Sequence, residues 1–351
     1  MSNKNKNFRQ MIPQKQLPAM PVSSTIMDKM IDGREFESLL KYKYENLNIL
    51  NEIRKSISEI QTVRKKPTIC YVSNIVKPRQ VPISIDDSDD LPFNEMLSTI
   101  PTKIKDIDIV LVTPGGVAQQ VAKFVNALRP RFENVSFLIL NKAMSAGTIF
   151  AMSGDEIIMT QQSQIGPIDP QVRNRNGEYI PAQSILTLID EIKLRGEEAI
   201  KKGMQPSWTD LQILRSIDPK EIGNAISSSN YSIQLVEEYL FNYKFKTWTK
   251  HSSNGQDVTL EEKRIQAKKI AELLCNHGEW KSHGHAITRD SAWNICKLKI
   301  KHSDDIAGLD KAMKRMWALY YWMFENTSIA KIFVSDNYCI IRNDLPNGQK
   351  N

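Results

Sequence analysis

Two short apolar runs, each closed by a turn of small residues, limit the folds open to this chain. The first is Ile107–Val112 (IDIVLV), which stops at Thr113-Pro114-Gly115-Gly116. The second is Val135–Leu140 (VSFLIL), soon followed by Ser145-Ala146-Gly147-Thr148. Apolar, β-branched runs of this length without polar alternation read as strands covered on both faces. A helical pattern follows each: Val117–Leu128, closed by Pro130, and a short helix of small residues over Ser145–Met152. Thr68–Val72 and Ile157–Met159 read as further strands and Pro92–Ile100 as a helix. Strands alternating with helices require a parallel sheet with helices on its faces, an α/β fold.

The remaining pattern is helical. Phe36, Leu39, Leu40, Tyr44, Leu47, Leu50, Ile53, Ile57 and Ile60 recur at three- and four-residue steps, predicting one long amphipathic helix ended by Pro67. It is expected either to lie on the core or to meet a second subunit. Helices are also predicted over 182–202, most of 205–250, 260–275 and 304–324. The last carries Met313, Trp317, Tyr320, Tyr321 and Phe324 on a packing face. The expected division is a flexible arm (1–32), the long helix (33–66), an α/β core (67–190) and a mainly helical extension (191–351). Asp86 to Asp90 read as a solvated acidic turn, because the spaced ligands and central glycine of a calcium loop are missing.

Composition removes several classes. The net charge of +7 is modest and dispersed, so no nucleic-acid partner is expected. Four scattered cysteines, Cys70, Cys275, Cys296 and Cys339, form no disulfide framework and fit a reducing cytoplasm. No apolar run approaches the roughly 18 residues of a membrane span, and the polar first residues carry no secretory pattern. No dinucleotide, phosphate-loop or other cofactor fingerprint is present, so no cofactor is expected.

Ser145 follows a buried strand and opens a helix, which brings its hydroxyl to the mouth of the sheet beside amides free to hold an oxyanion. A plain helix-capping serine is the alternative. Gly115-Gly116 lets backbone approach a ligand closely, or simply makes a tight turn.

Taken together, TPGG, SAGT, GDEIIM, GPIDPQ, PAQSIL and SHGHAITRDSA resemble the ClpP/crotonase superfamily. Within it the segment from Thr68 to Ile300 is most similar to the serine dehydrogenase proteinase family, a relative of SppA-type signal-peptide peptidases. The resemblance implies a spiral of β-β-α units, a serine peptidase acting on a peptide or protein substrate, and a homo-oligomer, here through the helix Arg34 to Ile60. Ser145 matches the nucleophile, and Gly115, Gly116 and Ala146 the oxyanion amides.

The base is less constrained. Ile168-Asp169-Pro170-Gln171 occupies the place where ClpP-type peptidases carry a histidine. SppA-like relatives use a lysine, which serves only when burial makes it neutral. Lys193 is the preferred candidate, ahead of Lys201 and Lys202, and a solvated pair with Glu197 is its alternative. Asp169 is a further candidate, or else a turn residue before Pro170. His283, within SHGHAI, is the second choice of base. His277, His283 and His285 beside Cys275 match no standard zinc spacing, so no metal is expected. Two other readings stand beside the hydrolase: a binding or assembly module with a vestigial site, and acyl-CoA chemistry on the same oxyanion hole.

Overall fold

The computed structural model describes residues 26–43, 48–173, 179–251 and 254–344. Its strands are β1 (Thr68–Ser73), β2 (Asp106–Thr113), β3 (Asn134–Ala143), β4 (Glu156–Met159), β5 (Gln164–Ile165), β6 (Gln171–Arg173), β7 (Tyr179–Pro181), β8 (Ile287–Thr288), β9 (Lys301–His302), β10 (Ile329–Val334) and β11 (Cys339–Asn343). The architecture is mixed α/β with a central, mostly parallel sheet, as in the ClpP-like fold. Residue contacts divide the chain into two units: 1–142 with 158–163 and 301–351, and 143–157 with 164–300. The arm expected over 1–32 is described only from Ile26, where Ile26, Met27 and Met30 are buried. The rest of it lies outside the described residues.

In the first unit the sheet runs β11-β10-β1-β2-β3-β4-β9. β1 and β2 pair in parallel from Thr68↔Asp108 to Val72↔Val112. Alternation along β1 serves two layers. Cys70 and Val72 join a core with Ile53, Ile57 and Ile60 of the helix Ile49–Arg64 and Met313 and Met316 of the helix Leu309–Asn326. Tyr71 faces the other way, against Phe124 and Phe333, and Phe124 packs on Phe93 with ring centroids 4.2 Å apart.

Three expectations are corrected here. The helix predicted from Arg34 is two helices, Glu35–Leu39 and Ile49–Arg64, and residues 44–47 lie outside the described set. Asn48 caps the second, accepting from the Asn51 amide at 3.2 Å. Its apolar stripe packs on the chain's own helix Leu309–Asn326, the first of its two expected placements. The C-terminal region is not all helix either: β10 and β11 return to the sheet, β10 antiparallel to β1. Ile329–Val334 followed by Ser335-Asp336-Asn337 is a hairpin pattern, obscured by a lysine in mid-strand.

The acidic turn is also not wholly solvated, and that same lysine is the reason. Lys331 and Asp89 are both fully buried, with Nζ 2.8 Å from each carboxylate oxygen. Tyr71 donates to Asp89 at 2.8 Å, the Asp86 amide at 3.0 Å, and Arg342 lies 2.9 Å away. Burial draws the Lys331 ammonium below its ordinary pKa, and the Asp89 carboxylate opposes that shift. A buried charge that loses its partner typically costs about 3–5 kcal/mol. Lys331→Met is therefore expected to lower unfolding stability by about that amount, read from the shift of a urea denaturation midpoint at constant slope. A loss below about 1 kcal/mol, the scale of an exposed pair, contradicts the assignment.

Candidate active site

The second unit holds the strand-to-helix bend at Ser145. β3 ends at Ala143 and the helix Ala146–Met152 begins just beyond it. Between them Ser145 has φ 51° and ψ −117°, outside the regions open to an L-residue at ordinary cost. Such a conformation costs roughly 1–3 kcal/mol. It is the form of a nucleophile elbow, a strained bend that lifts a serine hydroxyl clear of the sheet. Ser145 is half-buried and so reachable from solvent, while Ala146 is buried. Gly147 donates to Met144 O and Thr148 to Ser145 O, both at 2.8 Å. The Ala146 amide makes no hydrogen bond among the described residues.

Thr148 holds this bend. Its buried hydroxyl lies 2.8 Å from Ala143 O and 2.8 Å from Gly166 O, and it accepts the Gly166 amide at 3.0 Å. The SAGT and GPIDPQ motifs are therefore bonded directly to each other. A Cβ added at Gly166 would meet the flexible end of Met144, Cε at 2.5 Å.

Three residues beyond Gly166 is Asp169, fully buried, with Oδ1 2.8 Å from His283 Nδ1. These two candidates, weighed separately in the sequence, form one pair across 114 positions. His283 is partly exposed, its side chain 23% accessible, so the ring has one nitrogen on a buried carboxylate and an edge open to solvent.

The other candidates fall elsewhere. Lys193 is not a buried base: its side chain is 70% exposed and 4.0 Å from Glu197. A lysine base needs burial to be neutral, and this helix face provides none. Lys201 and Lys202 are also exposed. The side chain of His277 lies outside the described set.

In the first unit, Gly115 differs from expectation as an oxyanion donor, because its amide donates to Thr113 Oγ1 at 3.1 Å. Ile85 donates to Gly115 O at 2.7 Å and accepts from the Val117 amide at 2.9 Å. This bridge turns the N–H and C=O of Gly116 to the opposite side. Gly116 has φ +144°, and a Cβ there would sit 2.2 Å from Ile85 O. Only glycine fits.

Cys275 is no rival nucleophile. Burial, aided by the negative charge of Asp169 and opposed by a hydrogen bond with Ser229, pushes its thiol up to about 12. Burial also pushes Cys70 and Cys296 up to about 12. At pH 8 an aromatic disulfide reagent is expected to leave these three unreacted until denaturant is added; rapid labelling of Cys275 in the native protein contradicts this. Thr148→Val removes the hydroxyl without changing shape and leaves up to three backbone groups unpaired. About 1–3 kcal/mol of stability is expected to be lost, measured by urea unfolding, and an unchanged midpoint removes Thr148 as the tie.

Among the described residues no helix is long and apolar enough to cross a membrane. The family model described as ClpP-like SDH-type serine proteinase matches residues 35–201. Two curated relatives come from Methanocaldococcus jannaschii. The uncharacterized protein MJ1495 is 38% identical over 204 residues, covering 55% of this chain and 63% of the relative. The uncharacterized protein MJ0137 is 29% identical over 187 residues, covering 51% of this chain and 57% of the relative. The chain thus spans less than two thirds of either.

Proposed function

Since residues 35–201 match the ClpP-like SDH-type serine proteinase model, we propose that the chain hydrolyses peptide bonds with Ser145, His283 and Asp169 as nucleophile, base and orienting carboxylate. The observation that carries this reading is the coexistence, in one unit, of a strained half-exposed serine and a histidine hydrogen-bonded to a buried aspartate.

With Nδ1–H of His283 donating to Asp169 Oδ1, His283 Nε2 is the acceptor. It takes the Ser145 Oγ proton as Oγ bonds to the substrate carbonyl carbon. The carbonyl π electrons move to oxygen, and the Ala146 amide stabilises that oxyanion. Collapse breaks the C–N bond, and the imidazolium returns its proton to the leaving amine. Water then repeats the sequence on the acyl-enzyme. The resemblance also assigns Gly115 and Gly116 to the oxyanion; the Gly115 amide is already spent on Thr113.

The substrate in this reading is a peptide or protein, and the compartment is the cytoplasm, consistent with free Cys70, Cys275, Cys296 and Cys339. A homo-oligomer belongs to the same reading. Its contact surface is proposed on the helices Ala182–Lys201 and Trp208–Ser216 and the connection between them, where Leu194, Ile200, Met204 and Trp208 are exposed, Trp208 by 73%.

A fluorophosphonate probe tests the chemistry. Labelling is expected in the native protein, absent in Ser145→Ala, and about 10²–10⁴-fold slower in His283→Asn, the range for losing a general base. Lys193→Ala is expected to label at the native rate. Slow labelling in Lys193→Ala with a native rate in His283→Asn transfers the base to lysine. No labelling of well-folded native protein favours the assembly module with a vestigial site.

A further inference from the structure

The proposed pair joins two chain segments 114 positions apart, and the structure contains the device that sets their separation. The helix Leu260–Cys275 ends beside both segments. Its last carbonyls have no partner within the helix and carry its negative end, so they are good acceptors. Leu274 O accepts the amide of Ile168, the residue before Asp169, at 3.0 Å. The adjacent carbonyl, Leu273 O, accepts the indole N–H of Trp280 at 2.7 Å, as well as the Asn276 amide at 3.2 Å. One helix end thus grips the aspartate segment and the histidine segment through consecutive residues.

Trp280 is buried, and its ring lies 5.2 Å from that of His285. Immediately after it, Lys281 turns the chain with φ 61°. Ser282 then closes a tight loop: its Oγ accepts the Gly284 amide at 3.2 Å, and its carbonyl accepts the His285 amide at 3.0 Å. His283 sits at the crest of that loop. On the far side β8 pairs with β5, joining Ile287 to Ile165. The histidine loop is therefore held before and after His283; in front, the indole bond joins backbone bonds of the Glu279 and Trp280 amides to Asn276 O at 3.1 and 3.3 Å.

We propose that Trp280 is a positioning residue for His283: its hydrogen bond to Leu273 O places the imidazole against Asp169 and keeps the other ring nitrogen aimed for proton transfer. The inference rests on the triad reading, and it assigns a role to a tryptophan outside the proposed triad.

Trp280→Phe in the full chain is the test, since it keeps an aromatic ring in the core while removing the donor along with part of the indole's volume. The rate of fluorophosphonate labelling at Ser145 is expected to fall at least about tenfold, since small displacements of catalytic groups cost up to about 10²-fold. Measurements are made at a temperature where circular dichroism shows both proteins folded. The acid limb of the pH–rate profile is expected to shift, because the imidazole has lost its fixed partner. A merely structural tryptophan gives a lower unfolding midpoint with the native rate and profile, and that result overturns the proposal. If the native protein does not label, the triad reading fails separately. The anchoring is then decided by NMR of the His283 ring, identified by its loss in His283→Asn: displaced ring resonances in Trp280→Phe support the proposal and unchanged ones overturn it.

Discussion

A single buried hydroxyl organises the second unit of this protein around Ser145. Thr148 binds the backbone of the strand end at Ala143 and both polar groups of the Gly166 peptide. Without such a tie Ser145 has no reason to stay in a conformation that L-residues avoid. With it, two short motifs become one rigid bend, and the segment leading to Asp169 leaves from a fixed point. Rigid placement matters because proton transfer and nucleophilic attack depend on sub-ångström geometry. The cost of the strained serine is offset by hydrogen bonds made out of water, where an unmade bond is expensive.

The first unit solves a similar problem with charge. Lys331 lies in the middle of a central strand, where an apolar residue would ordinarily stand, and it meets Asp89 with full burial on both sides. The ammonium also donates to Ser84 O at 2.7 Å. Ser84 precedes Ile85, whose amide and carbonyl grip the chain on either side of Gly116. A buried ion pair is a poor way to gain net stability compared with apolar packing. Here it holds an irregular segment that has no ladder of its own against the glycine turn.

The sheet strands and most helices were legible because burial writes its period locally. IDIVLV and VSFLIL became β2 and β3, and LEEKRIQAKKIAELLC became the helix Leu260–Cys275 with a Thr259–Glu262 capping box. The strands β10 and β11 were less legible, since Lys331 interrupts their apolar pattern and its partner is 242 positions away. The split of the predicted long helix, and the use of its stripe within the chain, followed from a packing partner near the C-terminus.

The site divides along the same line. The sequence alone determined that a serine follows a buried strand with small residues after it, that paired glycines close the neighbouring strand, and that no cysteine framework supports the fold. Each of these is a property of adjacent residues, expressed through backbone freedom, side-chain volume and solubility. Only the tertiary structure decided that His283 and Asp169 are partners and that Lys193 stands in solvent. A hydrogen bond is specific over about 3 Å, and a chain of this length brings many carboxylates and bases within reach of one another. The choice among them is made by the helix ends and buried hydroxyls that fix the backbone, not by the spacing of the residues themselves.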